Sequence, residues 1–380
     1  MVIKRNLTLK ELLQKKSVLL LGPRGTGKSY YLRHQLENTH VINLLRSAER
    51  LPLQSNPSSI EEIVALHPRK IIVIDEVQKV PELLDEAHRL IEENGTRFLL
   101  TGSSARKLKA EGVNLLAGRA WLARMFPLNY AELESQSLFN IKKILNFGSL
   151  PSVVLSQFPK EELDNYVETY IESEIKSEGL IRKIPAFSRF LKTASLSSGE
   201  LINFQSIASD AETPASTVKE YYKILEDTLI GFMLEPWRES KKRKAIATAK
   251  FYFFDIGVLN FISDQFPEGE SSVLWGNRFE HFIIGEVRCA NFYQRRKANL
   301  NYWRSTSNYE VDLILGKTVF EIKSTRKVSE RHFKGLRAIQ EEGSFSQFVF
   351  ISNDPVNRKI DNIYCFHYKD FLKKLWAGEF

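Results

Sequence analysis

The sequence predicts an α/β fold, and three observations carry that prediction. Three short apolar runs, SVLLLG, IIVIDE and RFLLTGSS, each end in a polar or glycine-rich turn, as buried parallel strands do. Between the last two, PELLDEAHRLIEENG has Leu83, Ala87, Leu90 and Ile91 at helical spacing, with Asn94-Gly95 as its stop. A glycine-rich loop, GPRGTGKS, follows the first run and opens a second helical stretch. Strand–helix–strand in this order means a sheet with right-handed crossovers.

The loop, residues 22–29, fits G-x-x-x-x-G-K-[ST] at every fixed position, in the strand-then-helix context that gives the motif its meaning. Gly22, Gly25 and Gly27 let the backbone curl and aim N–H groups at phosphate oxygens. The helix that follows adds its positive end. Lys28 is placed to bridge the β- and γ-phosphates of ATP, and Ser29 to offer a hydroxyl to Mg²⁺. The expected nucleotide-binding set is Gly22, Pro23, Arg24, Gly25, Thr26, Gly27, Lys28, Ser29 and Tyr30, with Ser103.

IIVIDEVQ brings Asp75 to the end of a strand, where it can hold Mg²⁺, and Glu76 beside it can orient or deprotonate the attacking water. RFLLTGSS ends the third strand with Thr101, Ser103 and Ser104, where a polar group could sense the γ-phosphate; an ordinary capped strand end would look the same. In LLAGRAWLARMFPLNYAE, Arg119 and then Arg124 are candidates for an arginine reaching a neighbouring subunit's phosphates, although a lone arginine is often a surface residue.

Four segments are expected. Residues 1–130 form the ATPase core. Residues 131–190 turn helical (AELESQSLF, ELDNYVETYIESEIKSEG, AFSRFLKTASL) and read as a lid. In 191–250 a short helix (Phe204–Asp210), a tight turn and a second helix opened by Thr213-Pro214 make a helix-turn-helix candidate. Leu229, Ile230, Phe232 and Leu234 then read as the first strand of a wing, followed by the basic RESKKRKAIATAK. Residues 251–380 return to α/β, with a helix around NRFEHFIIGEVRCA and strands NYWRS, YEVDLIL, TVFEIK, FSQFVFIS and NIYCF.

In NYEVDLILGKTVFEIKST, Asp312 and Glu321 fall on two strands joined by Gly316-Lys317. In such a hairpin, facing residues have numbers summing to about 633, as 312 and 321 do. Glu321 and Lys323 share a face by the strand period of two. Restriction-type nucleases hold their metal with this arrangement, and Glu280 on the preceding helix is the expected further ligand. A structural ion pair across the hairpin is the alternative.

The ordered set GPRGTGKS, IDEVQKVPELLD, LLTGSSARKL, LAGRAWLARMFPLNYAEL, FGSLPSV, YVETYIESEI, KFYFFDIGVLNF, GNRFEHFI, YWR and EVDLILGKTVFEIK resembles a large prokaryotic family of AAA+-like P-loop ATPases, across nearly the whole chain. The resemblance implies ATP binding, a winged helix in the middle, and a C-terminal domain similar to the PD-(D/E)xK, or restriction-endonuclease-like, fold. DNA processing is the function usually inferred for it. One departure counts: the helix HFKGLRAIQEEG has Gln340 but no tyrosine four residues on, which many related DNA-repair nucleases carry.

The chain has 380 residues and a formal charge of +8, which suits a polyanionic partner. The expected partner is DNA, bound by structure more than by sequence. The second helix would offer Thr213, Ser216, Thr217 and Lys219 to the major groove. Lys241, Lys242, Arg243, Lys244 and Lys250 would contact phosphates, with Arg295, Arg296 and Lys297 as a second basic cluster. Winged helices also dock proteins, so a regulatory ATPase switch is a competing reading. A homo-oligomer is expected from an arginine acting in trans. No run approaches eighteen apolar residues, the N-terminus lacks a signal-peptide h-region, and Cys289 and Cys365 make no disulfide framework. The expectation is a cytoplasmic protein without a membrane partner.

Overall fold

The three apolar runs form β1 (Ser17–Leu21), β3 (Ile71–Asp75) and β4 (Phe98–Gly102), joined in one sheet by β2 (Thr39–Asn43) and β5 (Ala120–Arg124). The computed structural model describes residues 3–68, 70–104, 118–171 and 184–380. The order is β2-β3-β4-β1-β5, with every pairing parallel. The strand that feeds the glycine-rich loop is therefore flanked on both sides. Leu83, Leu84, Ala87 and Leu90 of the helix Leu83–Asn94 share a buried core with Leu19, Ile72, Ile74 and Leu100. Each large apolar side chain buried there stabilises the fold by roughly 1.5–3 kcal/mol. Gly95 ends the helix in the left-handed region (φ 64°), at the predicted stop.

Two compact units organise the chain. The first comprises Met1–Leu128 together with Lys223–Ile230, and holds the parallel sheet. The second comprises Asn129–Tyr222 and Gly231–Phe380. Its first part is helical as expected, with helices Tyr130–Glu134, Ile141–Phe147, Pro151–Leu155, Pro159–Asn165 and Ile184–Leu196. Residues 172–179 of the predicted helical stretch lie outside the described residues, as do residues 105–108 and 115–117 of the quoted motifs.

The expected helix pair is Phe204–Asp210 and Ala215–Asp227, with Asn203 capping the first through Gln205 N and Ser206 N, both at 3.1 Å. The strand after it begins later than predicted. Leu229 turns into the left-handed region (φ 62°) and Ile230 N donates to Leu225 O at 2.8 Å, so both residues close the helix end. β6 starts at Gly231 and runs to Pro236. It pairs antiparallel with β7 (Lys250–Phe253) and parallel with β8 (Leu300–Arg304). The strand expected to open a wing thus belongs to a larger mixed sheet.

That sheet continues through β9 (Glu310–Leu315), β10 (Thr318–Lys323), β11 (Gln347–Ser352), β12 (Arg358–Ile360) and β13 (Ile363–His367), in the order β12-β13-β11-β10-β9-β8-β6-β7. The helix Val273–Tyr293 and the helical stretch from Glu330 to Gln340 belong to the same unit. Phe333, Leu336 and Ile339 bury against Val311, Val319 and Phe350. This packing holds the helical stretch 330–340 close to the strand ends that carry Asp312 and Glu321.

Candidate functional site

The loop after β1 adopts the strained turns its glycines permit, with φ of 74° at Gly25 and 93° at Gly27. Thr26 Oγ1 donates to Pro23 O at 2.7 Å and braces the loop from inside. Lys28, the first residue of the helix Lys28–His34, is buried, and its ammonium donates to Gly22 O at 2.6 Å and Pro23 O at 3.1 Å. The loop therefore encloses the cation that the sequence assigns to the phosphates. Arg24 is half-buried in the loop. Tyr30 is exposed, its ring stacked on His34 at a centroid distance of 4.1 Å.

Beside the loop, Asp75 accepts from two hydroxyls, Ser29 Oγ at 2.8 Å and Thr101 Oγ1 at 2.5 Å, one on each carboxylate oxygen. Parallel pairing of β3 with β4 brings these groups to one sheet edge. Glu76 sits in the left-handed region (φ 63°), its N–H donating to Thr101 Oγ1 at 3.1 Å. Its Oε2 accepts from Gln78 Nε2 and, at 3.1 Å, from Ser103 Oγ. Thr101, Ser103, Asp75 and Glu76 are all buried. The sequence reading missed Gln78; its only signal was a polar residue two positions after Asp-Glu.

Arg119 lies elsewhere. It precedes Ala120, which pairs with Ser17 at the start of β1, whereas the loop leaves the other end of that strand. One strand length, roughly 15 Å, separates them. Its guanidinium forms an ion pair with Glu92 of its own chain. Arg124, opposite Leu21, is the arginine at the loop edge of β5, and burial lowers its pKa. Sequence reasoning also missed Arg5. It is buried and donates to Thr26 O at 2.6 Å, Phe126 O at 2.6 Å and Pro127 O at 3.3 Å, binding the nucleotide loop to the chain after β5.

In the second unit, β9 and β10 pair in the predicted register: Thr318 faces Leu315, Val319 faces Ile314 and Phe320 faces Leu313. Asp312, Glu321 and Lys323 line one cavity of about 890 Å³ together with Glu280. Lys323 Nζ lies 2.9 Å from Asp312 Oδ2 and 2.8 Å from Glu321 Oε1, and Ile322 N donates to Asp312 Oδ2 at 2.7 Å. Burial, then the Asp312 carboxylate, raises the pKa of both Glu280 and Glu321. Burial works against the charge of Lys323, but Asp312, Glu321 and Glu280 outweigh it and raise its pKa. Glu321 is 7% exposed, and among the described residues its Oε2 has no hydrogen-bond partner.

The expected metal set is not assembled as such. Among the described residues, no three of His, Cys, Asp and Glu stand together as a metal-holding group. At this cavity two lysines stand among the carboxylates. Lys323 bridges Asp312 and Glu321, while Glu280 accepts from Tyr252 Oη at 2.8 Å and lies 3.8 Å from Lys250 Nζ. The ion pair across the hairpin is the arrangement observed. Gln340 turns outward, donating to Asn362 Oδ1 at 2.9 Å, and does not line the cavity.

Lys250 also corrects the proposed set of phosphate contacts. It is buried, 4% exposed, because β7 places it against Glu310, with Nζ 2.7 Å from Oε1. Burial opposes its charge, yet Glu280, Glu310 and Asp312 raise its pKa, so it is a buried cation of the core. Arg243 lines the cavity, donating to Ala338 O at 2.9 Å and Glu341 Oε2 at 2.8 Å, with its guanidinium 5.0 Å from the Tyr309 ring centroid. Lys241, Lys242 and Lys244 are exposed. Glu342 fixes this segment by accepting from Lys241 N at 2.7 Å and Lys242 N at 3.0 Å. On the second helix of the pair, Thr217 is half-buried and Lys219 exposed, with its ammonium 5.3 Å from the Phe204 ring centroid. Arg295, Arg296 and Lys297 do not line the cavity. Cys289 and Cys365 are free and buried. Among the described residues, no helix is long and apolar enough to cross a membrane.

Three stretches match known families. Residues 14–134 match an AAA domain, residues 138–269 a domain of unknown function (DUF8612), and residues 275–371 a domain of unknown function (DUF4143). An uncharacterized protein of Methanocaldococcus jannaschii is 26% identical over 367 residues, covering 87% of this chain and 80% of the relative. An uncharacterized protein of Haemophilus influenzae is 24% identical over 327 residues, covering 75% and 78%. Among solved structures, a signal transduction ATPase with numerous domains (STAND) and a tetratricopeptide repeat sensor, from Pyrococcus horikoshii, is 13% identical with a TM-score of 0.24. That match covers 78% of this chain and 48% of the other. A likeness that small implies nothing further. The AAA match spans the loop, Asp75, Glu76 and Ser103, and with their geometry it supports an AAA-type ATPase module in the N-terminal part of this chain.

Proposed function

We propose that the chain is an ATP-hydrolysing DNA-binding protein that works as a homo-oligomer on branched or damaged DNA in repair or recombination. The observation that carries the ATPase part of this reading is the convergence of Ser29 and Thr101 on the two oxygens of Asp75, beside a loop that encloses Lys28. Ser29 and Asp75 are hard oxygen donors that fit Mg²⁺, which when bound with ATP neutralises phosphate charge. Lys28 contacts the β- and γ-phosphates, Glu76 takes the proton of the attacking water, and Ser103 meets the γ-phosphate. For Arg119 to act in trans it must first leave Glu92.

Exposed Lys219, Lys241, Lys242 and Lys244 support the DNA reading, as sequence-independent phosphate contacts. The test is a binding panel of single-stranded, duplex, forked and four-way-junction DNA, with and without ATP, on wild type and Lys28→Ala. Salt-sensitive binding that ATP modulates only in the wild type is expected. Hydrolysis of ATP with no affinity for any of these DNAs would sink the proposal.

A second reading, an ATP-gated metal-dependent nuclease, has one observation in its favour: the buried, unpartnered Glu321 Oε2 in the cavity. Among the described residues, the carboxylates do not stand together as a metal-holding group. Nicking with Mg²⁺ or Mn²⁺ that disappears in Asp312→Ala would select this reading.

A further inference from the structure

Gln78 lies in the short turn Val77–Lys79 that follows Glu76, and it is 6% exposed. Its single amide group serves two neighbours. Nε2 donates to Glu76 Oε2 and, at 2.9 Å, to Ser103 Oγ. Ser103 Oγ in turn donates to the same Glu76 oxygen at 3.1 Å. The three side chains close a triangle between the ends of β3 and β4.

The other end of the amide is costly. Among the described residues, Gln78 Oε1 is buried without a hydrogen-bond partner. A β-carbon added at Gly102 would lie 2.9 Å from that oxygen. A buried acceptor left unmade opposes folding, and an apolar side chain of the same length would avoid the cost. A residue kept only for packing would not need this amide. Its donors meet the two groups that the proposed chemistry uses, the candidate base and the candidate γ-phosphate contact.

We propose that Gln78 is a positioning residue for ATP hydrolysis, aiming the Glu76 carboxylate and tying it to Ser103 through one amide. The proposal rests on Glu76 being the base. Glu76 enters the turn in a left-handed conformation with its N–H held by Thr101 Oγ1. Its backbone is thus fixed from one side and its carboxylate from the other. A base held in this way needs no reorganisation when the attacking water arrives.

The test is steady-state ATPase kinetics of the full chain for Gln78→Met, with kcat and KM resolved separately, and thermal unfolding. Methionine keeps the length and removes both the donor and the orphaned acceptor. The expected result is a variant at least as heat-stable as the wild type, with KM for ATP within about twofold and kcat lower by roughly 10- to 100-fold, the scale of a misplaced general base. Gln78→Ala, which makes the same deletion with less bulk, provides a second variant should the methionine fail to fold. Wild-type kcat in the folded variant would overturn the proposal, as would a loss carried by KM with kcat unchanged. So would a kcat loss accounted for by the unfolded fraction alone. Wild-type hydrolysis by Glu76→Gln would remove the base assignment itself, and that outcome is read independently of any change at Gln78.

Discussion

Gly335 sets its bare Cα against the main-chain carbonyl of Glu310, so closely that a β-carbon there would overlap the oxygen; the same β-carbon would lie 3.4 Å from Glu321 Oε2. The helix Lys334–Gln340 can sit over the hairpin only because this residue has no side chain.

Gly335→Ala should therefore lift that helix from β9 and disturb the cavity floor. Overpacking of this kind costs about 1–3 kcal/mol. Urea unfolding should show a lower midpoint with an unchanged slope. An alanine variant as stable as the wild type would show that the helix shifts freely.

Lys250→Ala should act on stability and not on DNA contact. Removing a buried cation leaves Glu310 and Glu280 without their nearest ammonium, a change that typically costs about 3–5 kcal/mol. The melting temperature should fall by many degrees. Lys241→Ala and Lys244→Ala, by contrast, should leave melting within a degree or two and flatten the salt dependence of the DNA binding proposed above. Differential scanning calorimetry and binding at several salt concentrations separate the two cases.

Glu286 gives the fold a pH dependence of defined sign. Burial raises its pKa to about 8, although Trp376 Nε1 and Tyr130 N, at 2.8 and 2.9 Å, donate to it. The unfolded chain releases this proton near pH 4.5, the folded chain only near 8. Between those values the native state holds the extra proton, so raising the pH favours unfolding by up to about 1.4 kcal/mol per pH unit. Glu286→Gln removes that slope. The stability difference between variant and wild type should move in favour of the variant by about 3–5 kcal/mol from pH 4.5 to 8. A constant difference across that range would refute the assignment.

Arg5→Ala should weaken both fold and nucleotide binding. Three carbonyls, at Thr26, Phe126 and Pro127, lose a charged donor, and one of them belongs to the loop. Stability should drop by about 2–4 kcal/mol, and titration with a fluorescent ATP analogue should show weaker binding. Arg5→Lys should recover little, because one ammonium cannot span what the planar guanidinium spans.

The parallel sheet was legible wherever strands read as continuous apolar runs. β2 and β5 were not, since THVIN and AWLAR are only partly buried and mix polar with apolar residues. The hairpin register followed from arithmetic, because a two-residue turn leaves no freedom to slip. The role of Lys250 did not follow: a lysine in a basic run looks solvated until the strand it begins is seen to pair with its neighbours. Wing and core could not be told apart for the same reason, since the pairing of β6 with β8 joins residues 235 and 301. Asp75 and Ser29 were legible from spacing, whereas Gln78 and Arg5 act through partners far along the chain or around a turn.

The segment Lys223–Ile230 belongs with the first unit although the rest of its helix belongs with the second. The polypeptide therefore passes between the units three times, after residues 128, 222 and 230. No single peptide cleavage can release the ATPase part whole. A fragment ending at residue 128 would lack Leu229, which packs on the core of that unit. The nucleotide-handling part is thus not a cassette that one recombination event could transplant: whatever inherits the loop must inherit the helix pair's last turn as well.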